Sequence, residues 1–166
     1  FKATVDNEDP ILVVLPADHI IQNQEAFNRT INNAIECAEN DALVILGITP
    51  EKPETGFGYI RVKDNTKKSW FELEEFIEKP KKRQALEYFE SKKYLWNAGI
   101  FVMRASVWLK TLKVFRPDIY NSTLSAWGCR VEENHLNALF IRPGKAEFEA
   151  VSSISIDYAV MEPCVK

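Results

Sequence analysis

The sequence predicts an α/β fold with a Rossmann-like mixed, mainly parallel sheet flanked by helices. Residues 11–15 are five consecutive apolar residues, which is typical of a strand covered on both faces, and Pro16 ends that strand. Residues 24–39 carry apolar side chains at helical spacing behind Asn23, a predicted N-cap, and residues 42–48 form a second apolar strand. This order predicts a right-handed crossover onto a parallel neighbour.

The remaining elements are predicted from shorter patterns. A polar turn at 64–68 separates two alternating stretches and predicts a hairpin, whereas residues 128–144 have only a weak pattern. Residues 49–58 contain two prolines and two glycines and exclude regular structure. The other predicted elements are strands at 59–63, 70–79 and 94–103, helices at 83–89, 107–115 and 117–127, and a helix start at 156–161 capped by Ser155.

Composition limits the classes of function. A length of 166 residues with 46% hydrophobic content suits one domain with a sizeable core. The 21 basic and 24 acidic residues give a net charge of -3 without a basic stripe, so we expect neither a nucleic acid nor a membrane as partner. Three widely spaced cysteines match neither a disulfide framework nor a zinc site, which favours a reduced, cytoplasmic location.

Asp18 follows the first apolar strand in the segment that leaves its carboxyl end. Open α/β sheets bind their ligands at that edge, and a carboxylate there can hold a divalent cation that neutralises phosphate. We therefore predict a metal-binding role for Asp18. The alternative is that Asp18 only caps a turn or the next helix.

Several short motifs occur in the same order as in a known family. They are Leu15-Pro16-Ala17-Asp18-His19-Ile20-Ile21, Gly47-Ile48-Thr49-Pro50, Pro53-Glu54-Thr55-Gly56-Phe57-Gly58-Tyr59-Ile60, Phe76-Ile77-Glu78-Lys79-Pro80, Trp96-Asn97-Ala98-Gly99 and Ser155-Ile156-Asp157-Tyr158-Ala159-Val160-Met161-Glu162. In these motifs the chain resembles the mannose-1-phosphate guanylyltransferases. The resemblance implies transfer of GMP from GTP to mannose 1-phosphate, with Mg²⁺ as cofactor and GDP-mannose and pyrophosphate as products.

The resemblance also implies roles for individual residues. Matching positions place Asp18 and Asp157 on the catalytic metal and Lys79 against the phosphate of the sugar phosphate. Glu78 and Asn97 would bind hydroxyls of the hexose, and the backbone of Gly58 would approach the ring. Taken alone, these residues have ordinary alternatives, because Asp157 suits a helix N-terminus, Glu78 and Lys79 an exposed charge pair, and Asn97 a turn. Tyr59, Trp96 and Phe101 fit either the core or a pocket wall.

The chain departs from the family pattern at both ends. The glycine-rich loop that grips the nucleotide in the family is absent, since the six glycines include no Gly-x-Gly-x-x-Gly, and the family's last transferase segments and the isomerase domain of its bifunctional members do not follow. Residues 1–166 are thus expected to form a single, partial nucleotidyltransferase domain. Because triphosphates need backbone amides and cations, we expect the isolated chain to be poorly active or inactive. The sequence is compatible with either a monomer or a homo-oligomer.

Three other functions are alternatives for the same sequence. A nucleotidyltransferase for another sugar 1-phosphate or base would share the fold and the metal site. A regulatory subunit of the same fold would lack the nucleotide loop, although it need not keep Asp18, Lys79 and Asp157. A glycosidase is poorly supported, because no aromatic platforms flank the two aspartates.

Overall fold

The computed structural model describes residues 1–63 and 69–165, so the predicted turn at 64–68 lies outside the described residues. Strands and helices alternate along most of this length. They are a 3-10 helix at Lys2–Asn7, β1 (Ile11–Val14), α1 (Gln24–Glu39), β2 (Val44–Ile48), β3 (Tyr59–Val62), β4 (Leu73–Ile77), α2 (Lys82–Ser91), β5 (Tyr94–Arg104), α3 (Ala105–Phe115), α4 (Pro117–Gly128), β6 (Val131–His135), β7 (Ala138–Arg142), α5 (Lys145–Glu149), a π-helical turn at Asp157–Met161 and α6 (Glu162–Cys164).

The sheet is built around β5. The residues Phe101 and Val102 of β5 pair with β1 on one edge and with β2 on the other, and the first residues of β5 pair with β3, which in turn pairs with β4. The α/β class is confirmed, but the predicted parallel neighbours are wrong: β1 and β2 run in the same direction with the antiparallel β5 between them. All hydrogen-bonded strand pairs in the described part are antiparallel. Local periodicity predicts β1, α1 and β2 themselves. It cannot predict that β5, which comes much later in the chain, pairs between β1 and β2.

The predicted burial of β1 on both faces is also wrong. Ile11 packs beside α1, whereas Val14 is 46% exposed and Leu15 is 48% exposed. Within the described residues β1 pairs along one edge only, with β5, so its carboxyl end lacks the neighbours that a fully buried strand needs. The functional consequence is that the segment from Leu15 to Asp18 leaves the sheet at an open surface.

The two faces of β5 pack against different layers. Ile100 and Val102 join the core beside α1, and the alternate residues Phe101 and Met103 join the core that contains Met161 on the opposite face. Side chains of a strand alternate between faces, so an odd-numbered residue of β5 faces the π-helical turn. This alternation places Asn97 on the same side as the segment that starts with Asp157.

The helices agree with the sequence predictions more closely than the sheet does. α1 has the predicted bounds, and the Asn23 side chain accepts a hydrogen bond from the Ala26 amide at 2.9 Å, which confirms the predicted N-cap. The stretch 128–144, where the pattern is weak, contains the β6–β7 hairpin, whose turn residues Leu136 and Asn137 both have positive φ. No helix in the described ranges combines the length and the apolar character needed to cross a membrane.

Candidate active site

Asn97 is the centre of a hydrogen-bonded cluster at the start of β5. Its Nδ2 donates to Asp157 Oδ1 at 2.9 Å, and its Oδ1 accepts from the Gly99 amide at 2.9 Å. Its backbone amide donates to the Gly58 carbonyl at 2.8 Å. Gly99 has a φ of 65°, a backbone conformation that glycine adopts without steric cost. Through its side chain and its backbone amide, Asn97 therefore connects the start of β5 with two segments that are distant in sequence, at Gly58 and at Asp157.

Glu78 and Lys79 follow the end of β4. Lys79 has a φ of 48°, which is uncommon for a residue other than glycine, and its Nζ lies 3.3 Å from Glu78 Oε1. The Glu78 side chain is only 6% exposed, whereas the Lys79 side chain is 54% exposed. This arrangement is not the predicted alternative of an exposed charge pair, because the carboxylate is buried and only the ammonium faces solvent.

Gly58 lies against the same cluster. A Cβ atom at this position would lie 2.6 Å from Glu78 Oε2 and 3.3 Å from the Asn97 Cβ. Atoms do not approach so closely, so any side chain here would displace Glu78. The absence of a side chain at residue 58 lets the backbone pack directly on Glu78 and Asn97.

Asp157 begins the π-helical turn, and the buried end of that turn holds it in place. Val160 and Met161 are almost completely buried in the core, and the Ser155 carbonyl accepts from the Ala159 amide at 2.9 Å. The Ser155 hydroxyl accepts from the Tyr158 amide at 3.4 Å, in agreement with the predicted cap. π-Helical turns occur frequently at functional sites. Burial of Val160 and Met161 thus fixes the carboxylate of Asp157 against Asn97.

The cluster therefore holds two carboxylates, the buried one of Glu78 and the half-buried one of Asp157. Burial raises the pKa of Glu78, and the negative charge of Asp157 raises it further, while Lys79 acts in the opposite direction. Burial also raises the pKa of Asp157, against the lowering effect of the hydrogen bond from Asn97. Holding both groups ionised costs free energy, so the cluster favours a cation or a ligand that supplies hydrogen-bond donors.

Asp18 lies at the open end of β1 and is exposed. A Cβ atom at Gly99 would lie 3.4 Å from Pro16 Cγ, so the segment leaving β1 contacts the residue that donates to Asn97. Asp18 also lines a cleft of about 710 Å³ together with Ile48 and Ala98. The approach of Pro16 to Gly99 brings the segment near the cluster, whereas the cleft lies on the α1 side of the sheet and is lined by none of Glu78, Asn97 and Asp157. The meeting of Asp18 with Asp157 on one metal ion stays a prediction.

Other predicted candidates have structural positions. Tyr59 and Phe101, at 0% and 3% exposure, belong to the core, whereas Trp96 is half-buried and meets the ring of Phe57 edge-on at 5.1 Å. His135 is exposed on the β6–β7 hairpin. The described part of the chain contains no group of three or more His, Cys, Asp or Glu residues arranged for a metal ion. A larger cavity of about 940 Å³ lies between α1 and the β3–β4 hairpin, and its walls include none of the predicted site residues.

Comparison with known proteins defines the class. The Nucleotidyl transferase family pattern matches residues 1–139, and the chain belongs to this family. It is similar to the mannose-1-phosphate guanylyltransferase RfbM of Salmonella typhimurium, with 45% identity over 95% of this chain and 32% of that protein. It is also similar to the xanthan biosynthesis protein XanB of Xanthomonas campestris, with 42% identity over 97% of this chain and 33% of that protein.

A solved structure supports the same relationship. The mannose-6-phosphate isomerase from Helicobacter pylori superposes with a TM-score of 0.87 at 30% identity, covering 97% of this chain and 61% of that one. The chain spans about a third of the length of the curated relatives it matches. The resemblance to guanylyltransferases that the motifs predicted is confirmed.

Proposed function

We propose that this chain is the part of a mannose-1-phosphate guanylyltransferase that binds the sugar phosphate and supplies the catalytic carboxylates. The reaction transfers GMP from GTP to mannose 1-phosphate and yields GDP-mannose and pyrophosphate. The main support for this proposal is the cluster in which Asn97 contacts Asp157, Gly58 and Gly99. Glu78 belongs to the same cluster because it packs against Gly58. The similarity to proteins named mannose-1-phosphate guanylyltransferase supplies the identity of the substrates.

The cluster suits a phosphorylated hexose. Glu78 and Asn97 offer oxygen and nitrogen atoms that can bind sugar hydroxyls, and the bare backbone of Gly58 lets a ring approach closely. The ammonium of Lys79 is the cationic group beside them, and its exposure allows it to meet a phosphate entering from solvent. The hexose is thus recognised by the buried groups and its phosphate by the exposed one.

The donor set also fits Mg²⁺. This ion takes one or two carboxylates and completes its coordination with phosphate oxygens and water, so Asp18 and Asp157 suffice without a cluster of three protein ligands. The pKa of Asp157 is raised by burial, which means that a nearby cation would stabilise its ionised form. When bound, the ion neutralises the negative charge that two phosphate-bearing substrates bring together.

The chain's own residues act mainly by positioning. An oxygen of the sugar phosphate attacks the α-phosphorus of GTP in line, the bond from that phosphorus to the bridging oxygen breaks, and pyrophosphate leaves. Lys79 holds the attacking phosphate, while Glu78 and Asn97 fix the hexose behind it. Because the chain spans about a third of the length of the guanylyltransferases it matches, we expect the isolated chain to bind the sugar phosphate but to turn over poorly.

Titration calorimetry of the 166-residue protein tests the sugar-phosphate half of the proposal. Mannose 1-phosphate should bind, and Lys79→Ala and Asn97→Ala should each weaken binding about tenfold, the scale expected when a charged or polar contact to the ligand is lost. Glucose 1-phosphate should compete weakly. Equal or tighter binding of glucose 1-phosphate would assign a different sugar, and turnover by the full-length protein with GTP distinguishes an enzyme from a regulatory subunit.

A further inference from the structure

The loop at residues 53–58 is tied to the core by a hydroxyl group. Tyr59 is completely buried, and its hydroxyl accepts a hydrogen bond from the Glu54 amide at 2.9 Å. This bond closes a turn of the chain across the loop at residues 53–58. Sequence reasoning left Tyr59 undecided between core and pocket wall, and the structure shows that its ring belongs to the core while its oxygen holds the loop.

The position of that oxygen is itself fixed. The Tyr59 ring lies 5.5 Å from the ring of Tyr88, which stacks on Tyr94 at 4.1 Å. Tyr88 belongs to α2 and Tyr94 to β5, so the three rings connect the loop to two elements of the scaffold. Aromatic side chains have few rotatable bonds, and a buried hydroxyl finds a partner when one is within reach.

The rest of the loop has the geometry of a compact turn around Glu54. The carboxylate of Glu54 accepts from the Thr55 amide at 3.0 Å and from the Gly56 amide at 3.3 Å, and it pairs with Lys52 at 3.2 Å. The residue that ends the loop, Gly58, packs on Glu78 and Asn97. A shift of the turn would therefore move Gly58 relative to Glu78 and Asn97.

From these contacts we infer that Tyr59 is a positioning residue for sugar-phosphate recognition, since its hydroxyl holds the loop so that Gly58 forms one wall of the Glu78 and Asn97 site. Tyr59 does not touch the ligand and acts through the backbone of residues 54–58. The inference rests on the proposed function, because it assumes that the ligand of this site is a sugar phosphate.

Tyr59→Phe tests the inference, with Tyr94→Phe as the matched control. Both substitutions remove one hydroxyl from the same group of aromatic rings, but the Tyr94 hydroxyl donates to Glu75 in β4 at 2.8 Å rather than to the loop. Removing a neutral hydrogen bond changes an equilibrium by about fivefold. Two measurements on the 166-residue protein are needed.

The first measurement is amide hydrogen exchange in the ligand-free protein. Tyr59→Phe should speed exchange of the Glu54 amide about fivefold or more, and Tyr94→Phe should leave it unchanged. Unchanged exchange in Tyr59→Phe would overturn the inference, because the loop would then be held by other contacts.

The second measurement is the Kd for mannose 1-phosphate. It should rise about fivefold in Tyr59→Phe and stay at the wild-type value in Tyr94→Phe. Faster exchange without a change in Kd would overturn the positioning role and leave the proposed function intact. A wild-type protein that binds no mannose 1-phosphate would overturn the proposed function and the inference with it.

Discussion

The two ends of the proposed site differ in how they are built. At the start of β5, a hydrogen bond joins the half-buried Asn97 and Asp157, and Gly58 packs closely on Asn97 and on the buried side chain of Glu78. At the carboxyl end of β1, Asp18 is exposed and follows the half-exposed Leu15. Contacts within the chain thus define the proposed sugar-binding end, whereas the proposed metal-binding role of Asp18 rests on its position after a strand and on the family resemblance.

The largest expected effect links the two ends. In the full-length protein, Asp157→Asn and Asp18→Asn should each lower Mg²⁺-dependent guanylyl transfer by about a hundredfold or more, because each removes a charge from the proposed metal site. Steady-state rates with GTP and mannose 1-phosphate provide the measurement.

The double variant sharpens this test. If both carboxylates hold one ion, Asp18→Asn combined with Asp157→Asn should be little slower than either single variant, since residues that act as a unit are strongly non-additive. Independent, multiplying losses would place the two aspartates in separate roles.

Core substitutions compare the two strands directly. Met103 in β5 is 1% exposed, so Met103→Ala should lower the free energy of unfolding by about 2–5 kcal/mol. Leu15 after β1 is 48% exposed, so Leu15→Ala should cost less than about 1 kcal/mol. Urea denaturation measures both, and similar losses would show that the β1 end is packed as tightly as β5.

A glycine pair measures how closely the loop fits the sugar-binding end. Gly58→Ala would place its Cβ 2.6 Å from Glu78 Oε2, and the displaced carboxylate should weaken mannose 1-phosphate binding about tenfold. The control is Gly56→Ala, where the nearest atom would be Glu54 Oε1 at 3.7 Å, an ordinary contact. Calorimetry should find no change for Gly56→Ala, and equal effects for the two variants would mean that the close approach at Gly58 is unimportant.

The smallest expected effect is on stability as a function of pH. The pKa of Glu78 is raised by burial and by Asp157, so its stabilising contribution is complete at low pH and is lost as the pH rises through the raised pKa. Between about pH 4 and about pH 7, the Tm of the wild type should therefore fall by a few degrees relative to Glu78→Gln. A Tm difference that stays constant over this range would contradict the pKa shift.

Sequence reasoning succeeded where the information was local. The bounds of α1 and its cap at Asn23 follow from helical spacing and one side chain. The insertion of β5 between β1 and β2 could not be predicted, because strand pairing depends on residues that are distant in sequence. The β6–β7 hairpin was missed because nearly all of its residues are exposed, so no buried face imposes an alternating pattern.

The site divides in the same way. Only the family resemblance placed Asn97 and Asp157 in one site, and their hydrogen bond was not predicted, since no local pattern relates β5 to a distant π-helical turn. The proposed positioning role of Tyr59 was missed because a buried tyrosine beside the loop at residues 53–58 has the same sequence pattern as any core aromatic residue. Its phenolic oxygen was the signal, because a buried hydroxyl needs a partner.

The central claim is that Asp18 and Asp157 hold one divalent cation beside the sugar-binding cluster. A crystal structure of the full-length protein with Mn²⁺ and mannose 1-phosphate tests it most directly, because the anomalous signal of manganese locates the ion independently of the protein coordinates. The account predicts one peak within about 2.0–2.3 Å of a carboxylate oxygen from each aspartate, with the sugar phosphate completing the coordination. A peak coordinated by other carboxylates, or a separation between Asp18 and Asp157 that one ion cannot bridge, would contradict it.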